Sequence, residues 1–274
     1  MKYLFNILAL IIISISFNGC RTVTYGTNPA SIGELYHYKK VLVKGGDFWI
    51  TTYQKIKDPD LPYVFYIEGD GAAFNGKYRV SHNPTPRNQM MLKLAAIDDR
   101  PNVVYVGRPC QYTPMSLNPT CTNQYWTGKR LSDDSVQSLN EVINSINKHN
   151  GKFSLIGYSG GGGIAILIAA RNHNVKDIIT IAGNLDTQSF VTFHNVTPMI
   201  GSLNPIDYVN QVRDIPQLHL SGEKDKVIPP FIADKFVQAA SSICVKQQIF
   251  EDVTHRDGWT KIWEYVYTKP LVCY

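Results

Sequence analysis

Dense basic blocks are absent from this chain. Its 27 lysines and arginines stand against 22 acidic residues, a net charge of +5 spread over 274 residues. That balance describes a solvated, slightly cationic surface and carries no nucleic-acid footprint. No internal repeat and no low-complexity tract is present, so repeat architectures are excluded. No His, Cys, Asp or Glu set has metal-ligand spacing, and no glycine-rich loop has the phosphate-binding pattern. No metal and no cofactor are therefore expected. Long apolar runs are missing too. The most apolar stretch, Tyr3 to Phe17, has the length of a signal-peptide h-region and is short for a membrane span. Cysteine is scarce, at five. What the chain does have is 44% hydrophobic and 11% aromatic content, enough for one sizeable core in a single α/β domain.

The N-terminus reads as a targeting segment. Lys2 gives it a positive start, the apolar run follows, and then comes Phe17-Asn18-Gly19-Cys20. This resembles a bacterial lipoprotein processing site, in which the cysteine becomes the lipidated N-terminus. Gly19 and Cys20 match that pattern, whereas Phe17 and Asn18 depart from it. A cut after Ser16 and an uncleaved anchor are the alternatives. Residues 1–19 are assigned to a signal peptide, 20–35 to a tether and 36–274 to the domain. The resemblance implies export to the cell envelope and attachment to a membrane through lipid on Cys20. Cysteine arithmetic agrees with export. Setting Cys20 aside leaves Cys110, Cys121, Cys244 and Cys273, an even number that suggests two disulfides. Of three pairings, the local one is expected: Cys110 with Cys121, closing a loop, and Cys244 with Cys273, pinning the C-terminus. Free buried thiols are the alternative.

Along the domain, strands are expected over Tyr38–Val43 and Phe48–Tyr53, joined as a hairpin through Gly45-Gly46-Asp47. Further strands are read at Tyr63–Glu68, Val103–Val106, Phe153–Ile156, Asp177–Ala182, Gln217–Leu220 and Lys246–Phe250. Helical spacing covers Arg87–Ile97, Ser132–Asn147, Ile164–Ala170, Phe231–Ser241 and Trp259–Tyr267. Ser132 can cap its helix, with Asp133 and Asp134 favouring the first turn. Residues 75–86, 110–126 and 183–216 read as irregular. Alternation of strand and helix after Tyr63 argues an α/β fold: a mostly parallel sheet with helices on both faces and antiparallel N-terminal edge strands.

The organising stretch is Lys152 to Arg171, KFSLIGYSGGGGIAILIAAR. A buried strand runs into Gly157-Tyr158-Ser159-Gly160-Gly161, a G-x-S-x-G, and a buried helix follows. That context gives the motif meaning. The serine sits on a tight turn whose neighbours two before and two after must be small. A serine hydroxyl is a weak nucleophile and needs a base, itself oriented by an acid. In a parallel sheet such groups belong on loops at the carboxyl ends of strands. Asp225, in G-E-K-D-K-V-I-P-P, and His255 both follow strands. Asp186 is the rival acid. His219 lies within a strand and reads as a packing residue. His82, His173 and His194 read as loop residues.

Over Tyr63 to Tyr267 the chain resembles the α/β-hydrolase superfamily, on GYSGG, the Asp225 loop and the histidine after the last strand. The resemblance implies Ser159 as nucleophile, His255 as general base and then acid, and Asp225 as the orienting acid. It also implies an oxyanion hole from the N–H of Gly160 and of Asp70, with Gly71 next best. Glu68 stands where relatives carry histidine. The Asp70 carboxylate is expected to point away from the oxyanion. Pocket walls are expected from 108–126 and 184–205, with a small cap or none. Tyr112, Tyr125 and Trp126 either line an apolar site or pack the disulfide loop. Arg108 is expected in a surface salt bridge, with a substrate carboxylate as its alternative partner. The implied activity is cofactor-independent hydrolysis of a carboxylic ester, possible also for a thioester or amide, on a small-molecule or lipid substrate. An acyltransferase on the same residues and a non-catalytic envelope binding protein are the alternatives.

Overall fold

The computed structural model describes residues 36–76 and 79–273. The proposed signal peptide, Cys20 and the tether lie outside the described residues. Strands β1 (Lys39–Gly45) and β2 (Phe48–Ile56) form the expected hairpin, with Gly45 opposite Phe48. Gly46 supplies the positive φ at the first of the two turn positions. Then follow β3 (Tyr63–Ile67), a small hairpin of β4 (Phe74–Asn75) and β5 (Arg79–Val80), helix α1 (Met90–Ile97) and β6 (Asn102–Val106). The second half runs α2 (Asp133–Ile146), β7 (Phe153–Tyr158), α3 (Gly160–Ala169), β8 (Val175–Ile181), α4 (Thr187–His194) and α5 (Val209–Val212). It closes with β9 (Gln217–Gly222), α6 (Pro230–Ala240), β10 (Val245–Phe250) and α7 (Trp259–Val266).

Eight strands build one sheet in the order β1-β2-β6-β3-β7-β8-β9-β10. The β1–β2 and β2–β6 pairs are antiparallel, and every pair from β6 to β10 is parallel. Helices cover both faces, which is why β3 and β6 are buried at every position and read as continuous apolar runs. On one face α2, α3 and α6 pack through Val136, Leu139, Val142, Ile164, Leu167 and Phe236. On the other, α1 and α7 pack through Met91, Leu94, Trp259 and Trp263. Each such side chain, fully buried, contributes roughly 1.5–3 kcal/mol. Ser132 caps α2 as expected, its Oγ accepting from the N–H of Ser135.

Three segments differ from the sequence expectation. Residues 74–80 hold the β4–β5 pair where a loop was expected. Helix α1 begins at Met90 rather than Arg87, because the chain before it bends over Pro86, whose carbonyl accepts from Gln89 Nε2. Residues 183–216 are not irregular throughout. Asp186 caps α4 by accepting from the N–H groups of Gln188 and Ser189, and Asn195 closes that helix in the left-handed conformation. His194 is thus the last residue of a helix, not a loop residue. The sulfurs of Cys110 and Cys121 stand 2.01 Å apart and those of Cys244 and Cys273 1.99 Å apart, both at disulfide distance. Among the described residues no helix is long and apolar enough to cross a membrane.

Candidate active site

β7 ends at Tyr158, α3 begins at Gly160, and Ser159 between them takes φ 53° and ψ −122°. A non-glycine residue reaches such backbone angles only where its surroundings hold it. Here the N–H of Ser159 donates to the Ile181 carbonyl, and its own carbonyl accepts from Gly162 and Asn184. The small neighbours are steric requirements. A Cβ on Gly157 would lie 2.3 Å from the Gly161 carbonyl oxygen, and one on Gly161 would lie 2.4 Å from that of Glu68. Both obstacles are backbone, so neither can swing away.

His255 arrives on the loop after β10. Its Nε2 lies 3.1 Å from Ser159 Oγ and its Nδ1 lies 2.8 Å from Asp225 Oδ2. The other Asp225 oxygen accepts from the N–H groups of Val227 and Ile228, both at 2.8 Å. Asp225 is buried and Ser159 and His255 nearly so. A hydroxyl, an imidazole and a carboxylate thus form one unbroken chain of contacts. In that order the imidazole can accept the hydroxyl proton while the carboxylate fixes its tautomer and stabilises its charged form. Asp186, the rival acid, caps α4 and contacts Ser189 and Lys235 instead. His219 is a packing residue inside β9: fully buried, Nδ1 against Thr180 Oγ1, ring edge-on to Phe236, with burial pushing its pKa down to about 3.

Two residues that sequence alone does not flag hold the imidazole in place. Tyr158 Oη and Trp259 Nε1 both donate to the His255 carbonyl, and the Tyr158 ring lies 5.1 Å from the imidazole. Tyr158 is the variable position of the motif, so adjacency to the serine was its only signal.

The loop after β3 lies across from Ser159. Within it Gly69 N–H is engaged by Glu68 Oε1 and Ala72 N–H by the Pro84 carbonyl. The N–H groups of Asp70 and Gly71 are left as this loop's uncommitted donors among the described residues. Gln111 braces the loop from behind, its Nε2 donating to the Gly69 carbonyl and its Oε1 accepting from Arg108 N–H. Nothing in the sequence marks Gln111 for this task. Glu68 is fully buried; its second oxygen accepts from Tyr105 Oη at 2.7 Å. Burial drives its pKa up to about 7, against the opposing pull of those two hydrogen bonds and of nearby Arg108.

Two expectations are corrected here. Arg108 is not in a surface salt bridge: it is 4% exposed and reaches Asp70 inside the site. The Asp70 carboxylate does not point away. Its Oδ1 would lie 2.0 Å from a Cβ on Gly160, so it rests against the residue following Ser159. Arg108 and Arg130 flank it and make that placement tolerable. The aromatics of the 110–126 segment pack the fold. Trp126 is buried and donates from Nε1 to the Ser81 carbonyl, Tyr125 meets Phe48 edge-on, and Tyr112 meets Tyr105.

Sheet order, covering helices and a strand-turn-helix serine define an α/β-hydrolase. The family model described as serine hydrolase (FSH1) matches residues 82–255, more than half of the chain, and the protein belongs to that family. Protein bem46 of Schizosaccharomyces pombe is 23% identical over 256 residues, covering 83% of each chain. The structure is similar to the esterase Pf2001 of Pyrococcus furiosus, with a TM-score of 0.60 and 12% identity over 89% of this chain and 92% of that one. It is also similar to puromycin hydrolase, with a TM-score of 0.58 and 17% identity, covering 80% of this chain but only 36% of that longer one.

Proposed function

We propose that this serine hydrolase cleaves carboxylic esters through an acyl-serine intermediate. Ser159 Oγ attacks the scissile carbonyl carbon as His255 Nε2 takes its proton. Asp225 holds the imidazole and stabilises the cation that forms. The N–H groups of Gly160 and Asp70 receive the oxyanion, with Gly71 next best. The alcohol leaves with the proton from His255, and water then repeats the sequence to release the acid. The observation that carries this reading is the contact chain from Ser159 Oγ through both imidazole nitrogens to Asp225.

A fluorophosphonate probe tests it directly. Wild type is expected to label and Ser159→Ala to stay unlabelled; labelling that survives the substitution overturns the assignment. An ester panel of varied acyl length, with a thioester and a peptide anilide alongside, tests the bond class. Turnover of the anilide alone overturns the ester reading and favours amide cleavage, as in the structurally similar acylaminoacyl peptidase of Pyrococcus horikoshii. Export and lipid attachment at Cys20 belong to the same proposal. They are supported by the N-terminal sequence and by the two cysteine pairs at disulfide distance. Metabolic labelling with a fatty-acid analogue is expected to mark the protein and not its Cys20→Ser variant.

A further inference from the structure

Against Gly160, the residue after Ser159, rests the Asp70 carboxylate, and two arginines pair with it. Arg130 Nη1 lies 3.0 Å from Asp70 Oδ2, and Arg108 Nη1 lies 3.5 Å from Asp70 Oδ1. Arg108 Nη2 donates to the Arg130 carbonyl, tying the two arginines together. Three separate elements therefore meet: the loop after β3, the loop after β6 and the segment leading into α2. The charges do not balance. Asp70 is shared, so the trio carries one net positive charge. Glu68, the next carboxyl, spends its oxygens on Gly69 N–H and Tyr105 Oη rather than on either guanidinium. The Nε atoms of both arginines are buried without an acceptor among the described residues. Burial, with repulsion from Arg130, also pulls the pKa of Arg108 down, against the attraction of Asp70 and, more weakly, of Glu68. A desolvated cation short of counter-charge is costly, and an arriving anion relieves that cost.

Access and distance fit the same answer. The side chains of Arg130 and Asp70 keep 13% and 18% of their surface open, while Arg108 behind them keeps 5%. The Arg130 guanidinium sits 5.8 Å above the Phe190 ring of α4, and of its two Nη atoms only Nη1 meets an acceptor among the described residues. Asp70 touches Gly160, the residue after Ser159. A single carboxylate therefore links Arg130 to the residue that follows Ser159. One net positive charge suits a monoanion, whereas a phosphate dianion would overcompensate it next to Asp70.

We propose that Arg130, backed by Arg108 and tuned by Asp70, is a specificity site for esters that carry a carboxylate close to the scissile carbonyl, such as half-esters of short dicarboxylic acids. This deepens the serine-hydrolase reading and rests on it.

The test compares monoethyl glutarate with ethyl pentanoate, following acid release at constant pH. Wild type is expected to favour the half-ester in kcat/KM by about 30-fold, the scale of one charge-assisted hydrogen-bond pair. Arg130→Gln is expected to cut that ratio by about tenfold, mainly through KM, with Arg130→Lys restoring part of it. Asp70→Asn, which removes the competing anion, is expected to raise the ratio. A wild-type ratio at or below one overturns the proposal. So does a loss in Arg130→Gln that falls equally on both esters, which describes a purely structural clamp. Binding supplies a readout separate from turnover. Full-length Ser159→Ala is expected to bind monoethyl glutarate in calorimetry, and Ser159→Ala/Arg130→Gln is not. If Ser159→Ala prefers ethyl pentanoate, the subsite is refuted even where fluorophosphonate labelling upholds the serine. If labelling fails but half-ester binding depends on Arg130, the hydrolase reading falls and the subsite stands.

Discussion

At the scale of single residues, the site depends on groups that touch His255 and the loop after β3 without being named by any motif. Tyr158 Oη shares the His255 carbonyl with Trp259 Nε1. Tyr158→Phe removes one of the two donors and is expected to slow kcat/KM by about three- to tenfold, roughly the worth of one hydrogen bond. Unchanged ester kinetics and unchanged fluorophosphonate labelling rates would show that Trp259 alone suffices. Glu68 predicts a pH effect on stability. Its pKa rises from an ordinary 4.5 to about 7 on folding, so between those values the folded chain keeps a proton that the unfolded chain has lost. Its stabilising contribution is full below about pH 4.5, declines as pH rises, and is gone above about pH 7. The integrated loss is about 3 kcal/mol. Glu68→Gln, which cannot ionise, is expected to gain on wild type in urea unfolding as pH goes from 4.5 to 8. A constant difference across that range contradicts the assignment.

At the scale of elements, β7 and α3 are joined by a serine in strained backbone, and β9 and β10 deliver their residues from the same sheet end. These parts were legible in the sequence. Ser159 lies between an apolar strand and an apolar helix, and Asp225 and His255 each follow a strand, so order and context pointed to three side chains that the fold brings within hydrogen-bond distance. Helix α4 was not legible. Thr187–His194 is mostly polar and β-branched or aromatic, with weak intrinsic preference for helix, and it exists through the Asp186 cap and its packing. The Asp70–Arg108–Arg130 grouping was illegible for another reason: its members come from three elements, and burial of Arg108 is a tertiary fact. The two acids now separate by experiment. Asp186→Ala is expected to lower stability by about 1 kcal/mol through the lost cap while fluorophosphonate labelling persists. Asp225→Asn is expected to cut kcat by about 10⁴-fold with little change in unfolding. The reverse pattern would make Asp186 the orienting acid.

At the scale of the whole molecule, the sheet supplies a rigid floor, and the last third of the chain brings His255 back to it. The segment from Cys244 to Cys273 holds β10, the His255 loop and α7 between two cysteines 29 residues apart. Closing a loop of that length restricts the unfolded chain by an amount worth about 3.6 kcal/mol. Replacing both cysteines by serine is expected to lower unfolding free energy by up to that figure, measured by denaturant titration. No change would mean the bond forms without constraining the unfolded ensemble.

The contact between Gly160 and Asp70 reaches beyond the chemistry of one substrate. An alanine at 160 enters only if the Asp70 carboxylate swings off it, loosening its pairing with Arg108 and Arg130, and a smaller residue at 70 strands two guanidinium groups. Substitutions at these four positions are therefore expected to be non-additive: the cost of a side chain at 160 depends on which residue stands at 70, and the cost of a change at 70 depends on the two arginines.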